Sequence, residues 1–437
     1  MNRIAFSILA LLLYITCSAQ TQWTLQDCID YGLKNNYSVK KSLLDLEASK
    51  VYLNTTAKSI LPSVNAQIGQ NIDFGRSMAA NNEIVNQSQA STSFGVSMQM
   101  PLFEGLRVHH QKASDEHSVQ AALYDLEQAK ENITLNIMAY FLQVIMAKEV
   151  LEIAQEQKAI AEEQVKKIQK LVDGGKTSNS DLYNAQATLA NDIVSITKAN
   201  NNYQLAKLEL AQLMNFKDVN SFDVVMPSES ELININNSNL NLDNVLDRSL
   251  KARPGIKAAA TRIEKGKRDI LVSKSAYYPS LSLSASYGTG YYHVFNSTPA
   301  NPAFGTQLNE NSREVVSLTL NIPIFNKMRT KYSVQLSQLQ LAHYEQASEE
   351  IKNNYIKEIQ QAYYNATASK DNYFAAQQAV SATNTSYQYE EMKYNKGASS
   401  IYEYNESRLK HQKALSEEVQ AKYDFIFRLK ILEFYSN

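Results

Sequence analysis

The chain repeats itself at a spacing of roughly 220 residues, and this duplication limits what it can fold into more than any other feature. Leu61-Pro62-Ser63 returns as Tyr278-Pro279-Ser280, and Pro101-Leu102-Phe103 as Pro323-Ile324-Phe325. Gly175, with Ser180-Asp181-Leu182-Tyr183 downstream, returns as Gly397 with Tyr402-Glu403-Tyr404-Asn405. Order and interval both survive, so the sequence reads as one unit used twice: a helix, two strands, then two long helices. The expected organisation is a first repeat over 20-214, with a strand hairpin at about 62-103 and a helical hairpin at about 105-214. A connector over 215-241 follows. The second repeat covers 242-437, with a strand hairpin at about 279-325 and a helical hairpin at about 328-434.

Residues 1-19 combine Arg3, an apolar run from Ile4 to Ile15 and the small residues Cys17-Ser18-Ala19, the pattern of a signal peptide cut after Ala19. A lipid on Cys17 is the alternative reading of the same segment. Removal of the signal leaves Cys28 alone, so stability rests on packing and assembly and not on an internal disulfide. No later stretch holds the ~18 consecutive apolar residues of a membrane-spanning helix, and the mean hydropathy of −0.36 agrees. If the chain spans a membrane, it does so by strands. The balance of 43 Lys+Arg against 44 Asp+Glu leaves no basic footprint for nucleic acid.

From Gly105 to Val172 there is no proline and no further glycine, while Ala, Leu, Glu, Gln and Lys dominate. This predicts one helix about 100 Å long at ~1.5 Å per residue. Ile133, Ile137, Tyr140, Val144, Ala147, Leu151, Ala154, Lys158, Ala161, Val165, Ile168 and Val172 follow alternating steps of four and three, with Lys158 as the single polar member. After Asp173-Gly174-Gly175 the spacing resumes at Leu182, Ala185, Leu189, Asp192, Ile196, Ala199 and Tyr203, so the two segments form an antiparallel helical hairpin. The second half does the same around Asn395-Lys396-Gly397. Shorter helices are expected at about 25 to 58 and 242 to 275.

Four segments alternate with period two. Val64, Ala66, Ile68, Ile72 and Phe74 oppose Asn65, Gln67, Asn71 and Asp73; Phe94, Val96, Met98, Met100 and Leu102 oppose Ser93, Ser97 and Gln99. Leu281, Leu283, Ala285, Tyr287 and Tyr291 oppose Ser282, Ser284 and Ser286; Val316, Leu318, Leu320, Ile322 and Ile324 oppose Ser317, Thr319 and Asn321. One apolar and one small-polar face suit a barrel wall between lipid and water. A soluble sheet with one buried face is the ordinary alternative, but long helices flank each hairpin and leave it no globular core. Four strands cannot close a barrel, so several chains must contribute.

At these residues the chain resembles the TolC-type outer-membrane efflux proteins, over essentially all of the mature sequence. The match lies in the duplicated element order, the strand starts at Pro62 and Pro279, the strand ends at Pro101-Leu102-Phe103 and Pro323-Ile324-Phe325, and a glycine followed six residues later by an acid in each helical turn. The resemblance implies a mainly α fold with a membrane β-barrel portion. In it a homotrimer would share one 12-stranded barrel, four strands per protomer, above an α-barrel of coiled-coil hairpins. It implies residence in the outer membrane of a Gram-negative bacterium, with outer-membrane lipid around the strands and helices in the periplasm. It implies a passive exit duct of an efflux pump or a type I secretion system, working with a periplasmic adaptor protein and an inner-membrane transporter. Glu403 and Glu406 match the family's acidic constriction, where like-charge crowding should raise some carboxylate pKa values. Asp181 and Tyr394 match its closed-state contacts, and Gly175 and Gly397 mark the turns where an adaptor would dock. The family's arginine two residues after the second-turn glycine is Ser399 here, which leaves Lys176, Lys396 or a looser closed state as alternatives.

No catalytic constellation, phosphate-binding loop or metal-ligand pattern accompanies these features, so no enzyme, cofactor or metal is expected. His109, His110 and His117 read as helix-surface residues, and Met98 and Met100 as lipid contacts. A periplasmic coiled-coil scaffold or adhesin without a pore is the competing reading. It explains the helices and leaves the four alternating strands unexplained.

Overall fold

A computed structural model describes residues 21–78, 82–226, 242–295, 297 and 300–436. The expected signal peptide and most of the connector lie outside the described residues. The elements run β1 (Thr21–Trp23), α1 (Leu25–Asn35), α2 (Tyr37–Lys58), β2 (Ser63–Asp73), β3 (Arg76–Met78), β4 (Ile84–Asn86), β5 (Gln89–Glu104), α3 (Arg107–Asp173), α4 (Asn179–Met214) and β6 (Phe222–Val224). The second half continues with α5 (Leu242–Ala252), α6 (Pro254–Lys274), β7 (Ser280–Val294), α7 (Phe304–Glu310), β8 (Arg313–Asn321), α8 (Arg329–Asn395) and α9 (Ile401–Ser436). The duplication is literal in the helices: α3 and α8 both have 67 residues, and α4 and α9 both have 36. Two compact units are distinguished, one from Met1–Leu44, Tyr124–Ile256 and Glu350–Asn437, the other from Asp45–Leu123 and Lys257–Glu349.

The second unit contains an antiparallel sheet in the order β2-β5-β7-β8. Its register matches like with like. One set of rows aligns Val64, Met98, Ala285 and Val316, then Met100, Leu283 and Leu318; the intervening rows align Asn65, Ser97 and Ser286, then Gln99, Ser284 and Ser317. Since side chains alternate with period two, these rows give the sheet one apolar and one small-polar face; the exceptions lie toward the start of β8, where Glu314 falls in the Tyr287 row of the apolar face and Val315 in the Ser286 row of the polar one. The apolar side chains of the edge strands stand exposed, with Val64 at 64%, Ile68 at 73% and Val316 at 76%, and those of β5 and β7 between them are mostly half-buried. An irregularity between Pro101 and Phe103 shifts the pairing, so that Phe103 and not Leu102 lies opposite Leu281. The strict alternation expected through Leu102 ends at this bulge, where Pro101 interrupts the strand. β2 and β8 are the two open edges of the sheet.

Beyond β8 the edge of β7 is covered by amide side chains. Asn311 Nδ2 donates to the Gly290 carbonyl at 2.8 Å, and Gln307 accepts from Tyr292 N and donates to Tyr292 O, each at 3.0 Å. Asn301 does the same for Val294, at 3.0 and 2.9 Å. The loop thus supplies the hydrogen bonds a further strand would make at alternate residues.

Both strand-to-helix junctions place two consecutive residues in the left-handed region: Gly105 (φ 61°) with Leu106 (φ 64°), and Lys327 (φ 56°) with Met328 (φ 62°). Only the first junction uses glycine. A Cβ on Gly105 would lie 2.5 Å from the Ser275 carbonyl oxygen, so sterics as well as φ demand glycine there.

The single helices expected at about 25 to 58 and 242 to 275 are each broken. At the first break Asn36 Oδ1 accepts from Ser38 N at 2.7 Å and starts α2, while Asn36 Nδ2 donates to the Leu213 carbonyl at 2.8 Å near the end of α4. At the second, Pro254 starts α6, for which its missing N–H is no loss. The guanidinium of Arg253 donates to the Phe434 carbonyl and lies 4.5 Å over the Phe434 ring. In each repeat the residue at the break therefore ties down the end of that repeat's last helix.

Within the first unit, β1 and β6 pair in parallel, and Trp23 meets Tyr31, Phe216 and Phe222 edge-on. Phe141, Ile137, Ile145, Leu210 and Met214 are fully buried, each contributing about 2 kcal/mol on the usual transfer scale. The seam of α3 departs from the expected one at two steps: Phe141 and not Tyr140 is fully buried, and Gln157 is buried, whereas Lys158 is half-exposed and paired with Glu162 at 3.0 Å. Gln157 joins a buried polar layer. Arg408 of α9 donates to Asp192 of α4 at 3.0 Å, with side-chain exposures of only 3% and 4%, and to the Gln157 carbonyl at 3.3 Å.

Two outcomes follow for thermal unfolding of the detergent-solubilised protein. Gly105→Ala is expected to cost about 1–3 kcal/mol, whereas Lys327→Gly is expected to gain up to about 1 kcal/mol by releasing left-handed strain; equal effects would contradict the junction geometry. Arg408→Met is expected to cost about 3–5 kcal/mol by stranding Asp192, and Asp192→Leu in the same chain to restore most of it. A double variant no better than the single one would show that Asp192 and Arg408 are not energetically paired.

Candidate functional site

The helical turns are built alike in both repeats. At the end of α3, Lys176 N bonds to Leu171 O at 2.8 Å and Gly175 N to Val172 O at 2.9 Å; at the end of α8, Ala398 N bonds to Lys393 O at 2.9 Å and Gly397 N to Tyr394 O at 3.0 Å. These are Schellman closures, with Gly175 at φ 68° and Gly397 at φ 74°. An added Cβ would meet nothing within 4 Å at either glycine, so backbone conformation and not crowding selects it.

The next helix starts the same way in each repeat. Ser178 Oγ accepts from Asp181 N at 3.2 Å, and the Asp181 carboxylate accepts from Ser178 N at 3.4 Å, from Ser178 Oγ at 3.0 Å and from Thr177 Oγ1 at 2.6 Å. Ser400 Oγ likewise accepts from Glu403 N at 3.3 Å, and Glu403 accepts from Ser400 N and Ser400 Oγ, both at 2.9 Å. Both are capping boxes. The acid six residues after each glycine therefore has a local structural task, and the Ser-x-x-Asp/Glu pattern was the signal for it in the sequence.

Charge at the turns is shaped by these bonds. The Glu403 carboxyl is held below its ordinary range, first by the Ser400 N–H and then by the Ser400 and Ser399 hydroxyls. Asp181 is held down by Thr177 and then Ser178. Within one protomer the direction at Glu403 is thus opposite to the rise expected from crowding, because hydrogen bonds to the charged form outweigh the cost of desolvation. Glu406 is exposed on the same α9 face and pairs with Lys410 at 2.7 Å. Ser399, in place of the expected arginine, sits between two carboxylates, bonded to Glu390 and 3.0 Å from Glu403. Neither Lys176 nor Lys396 forms an ion pair among the described residues.

Beneath the turns, Ile168, Leu182, Ala185, Ile401 and Tyr404 form a small core from α3, α4 and α9, and Tyr387 and Tyr394 of α8 pack against it. Tyr394 stacks on Tyr404 with centroids 5.0 Å apart, and the Tyr387 and Tyr404 hydroxyls are 3.2 Å apart. Lys167 bonds Asn395 Oδ1 at 2.5 Å and stands 5.9 Å over the Tyr394 ring. The Tyr394 hydroxyl is pushed up by burial and then by the charge of Asp181, which makes these two residues electrostatic neighbours in one protomer. No hydrogen bond joins them among the described residues. Sequence reasoning missed the buried Arg408, whose partner Asp192 stood in plain view as a charged member of an apolar seam.

The family described as outer membrane efflux protein matches residues 29–215 and 245–432, one block in each repeat. The outer membrane protein TolC of Escherichia coli is 22% identical over 404 residues, 90% of this chain and 78% of TolC. The outer membrane efflux protein BepC of Brucella suis is 19% identical over 327 residues, 75% of this chain and 66% of BepC. Among solved structures, the Campylobacter jejuni CmeC outer membrane channel superposes with a TM-score of 0.76 at 18% identity, covering 94% of this chain and 85% of CmeC. The open state of the Neisseria gonorrhoeae MtrE outer membrane channel gives 0.71 at 17% identity, covering 94% and 88%. With both repeats matched, the chain belongs to the outer membrane efflux protein family, channel-type proteins of the Gram-negative outer membrane.

Proposed function

We propose that the protein is a passive exit duct, the outer-membrane component of a tripartite efflux pump or a type I secretion system. The observation that carries this reading is the sheet register. Four strands whose rows align apolar with apolar on one face and mostly small polar residues on the other, with Glu314 as the charged exception on the apolar face, make a wall for lipid on one side and water on the other. The rows from Leu281 to Thr289, apolar except at Glu314 and Thr289, extend about 27 Å along the strand, or about 20 Å once tilted, near the height of a barrel's apolar band. In lipid the open edges β2 and β8 must be paired, and a second and third copy supply the partners, giving a homotrimer with a 12-stranded barrel.

In this reading an inner-membrane transporter supplies the energy and a periplasmic adaptor docks at the turns of Gly175 and Gly397. Glu403 and Glu406, repeated by threefold symmetry, ring a constriction that favours cations. The Asp181 and Tyr394 pair belongs to the closed packing of the hairpins, and adaptor contacts shift it toward an open one.

Planar-bilayer conductance of the detergent-purified protein checks the ring. Cation-selective currents are expected, with Glu403→Gln plus Glu406→Gln losing most of the selectivity; glutamine still accepts the Ser400 cap, so charge changes while the turn is kept. Equal selectivity in wild type and double variant would remove the ring assignment. Because Glu403 has a depressed pKa, its charge persists as pH falls and is lost only below the ordinary carboxylate range, so selectivity should hold from neutral pH to about pH 5. Loss of selectivity by that pH would mean that crowding in the trimer overrides the cap.

A further inference from the structure

Residues paired directly across antiparallel strands share a face, so the register permits a census of charge on the polar face. Its rows run from Glu104, Ser280 and Asn321 at one end to Asp73, Gln89 and Val294 at the other. Between them lies the row Gln67, Gly95, Gly288 and Arg313. Arg313 is the only basic residue in all these rows. Glu104 is already neutralised by Arg107 at 2.7 Å. Asp73 is six residues along the strand from Gln67, about 20 Å, well beyond the ~8 Å screening length at physiological salt.

The surroundings of Arg313 are open. Its two nearest neighbours in the row, Gly288 and Gly95, carry no side chain, and Gly290 and Gly69 lie in the next row. Gly95 and Gly288 line a shallow hollow on the sheet, together with Gln67, Ser93, Ser97, Asn311 and Val315. Arg313 is exposed and forms no hydrogen bond or ion pair among the described residues. Its position is fixed nonetheless, because Asn311 is clamped to the Gly290 carbonyl at 2.8 Å just before β8 begins. An unpaired guanidinium over bare backbone is well placed to meet passing carboxylate, sulfonate or phosphate groups.

We propose that Arg313 is a selectivity-determining residue of the barrel lumen, favouring solutes that carry an anionic group over cationic ones. The inference rests on the duct reading, in which the polar face lines the lumen and each copy contributes one Arg313. It makes the barrel wall and the Glu403 and Glu406 constriction act with opposite sign on a permeating ion.

The test uses full-length protein in planar bilayers, on the Glu403→Gln and Glu406→Gln background so that the acidic ring does not dominate. Reversal potentials are read in KCl at about 0.01 M, where the screening length is ~30 Å, and again at about 1 M, where it is ~3 Å. Arg313→Gln is expected to raise the potassium-to-chloride permeability ratio about twofold or more at low salt and little at high salt; Arg313→Lys should keep the parent value. Arg313→Cys adds a chemical readout, since Cys28 is fully buried with its thiol pushed up to about 12. A cationic methanethiosulfonate should return the cysteine variant toward the arginine value, and an anionic one should drive it further toward potassium. Pores of normal conductance with one permeability ratio across all these variants, or a cysteine that aqueous reagent cannot reach, would overturn the assignment. Absence of any pore from the folded parent protein would instead overturn the duct reading, and this inference with it.

Discussion

The fold depends first on strand register. In the rows from Leu281 to Ala285 the apolar residues of β2, β5, β7 and β8 pair across to other apolar residues, and a slip of one position in any ladder would turn that strand's set to the wrong face. The consequence extends beyond the sheet, because a wall with open edges at β2 and β8 is incomplete in lipid and makes assembly part of the fold. The devices at the sheet's margins serve this register. A bulge at Pro101 ends the β5 alternation, and the amides of Asn301, Gln307 and Asn311 cover the edge of β7 where β8 has stopped.

Duplication is preserved at the level of single hydrogen bonds even where residues have diverged. Asn36 and Arg253 differ in size and charge, yet each interrupts a helix and donates to a carbonyl near the end of its repeat's last helix. Asp181 and Glu403 both close capping boxes, and the Gly105-Leu106 junction recurs as Lys327-Met328 with the same left-handed backbone. At that junction the first repeat needs glycine for close approach and the second carries Lys327 instead. Between the repeats, the Asp192 and Arg408 pair joins α4 of one to α9 of the other, a buried polar contact that fixes which helix faces meet.

Much of this was legible in the sequence. Period-two alternation revealed the strands, proline and glycine marked the element ends, and internal repetition gave the element order. Two of the misses share a physical cause: each needed a partner distant in sequence. Gln157 and Lys158 are adjacent on a seam that drifts because 3.6 residues per turn do not divide a heptad, and only Arg408 arriving from α9 shows which of them is inside. The break at Asn36 carries no proline, and its cause includes Leu213, far along the chain. Glu403 was read for its charge and Asp181 as a closed-state contact, although the serine three residues before each identified a cap.

The account stands or falls on whether one face of the sheet meets lipid and the other water. Single cysteines at Leu283, Ser284, Ala285 and Ser286, four successive positions of β7, test this in the membrane-inserted protein with a water-soluble thiol reagent. The account predicts modification at Ser284 and Ser286 and protection at Leu283 and Ala285. Uniform labelling of all four, or the reverse pattern, would contradict it and leave the helices without a membrane duct to serve.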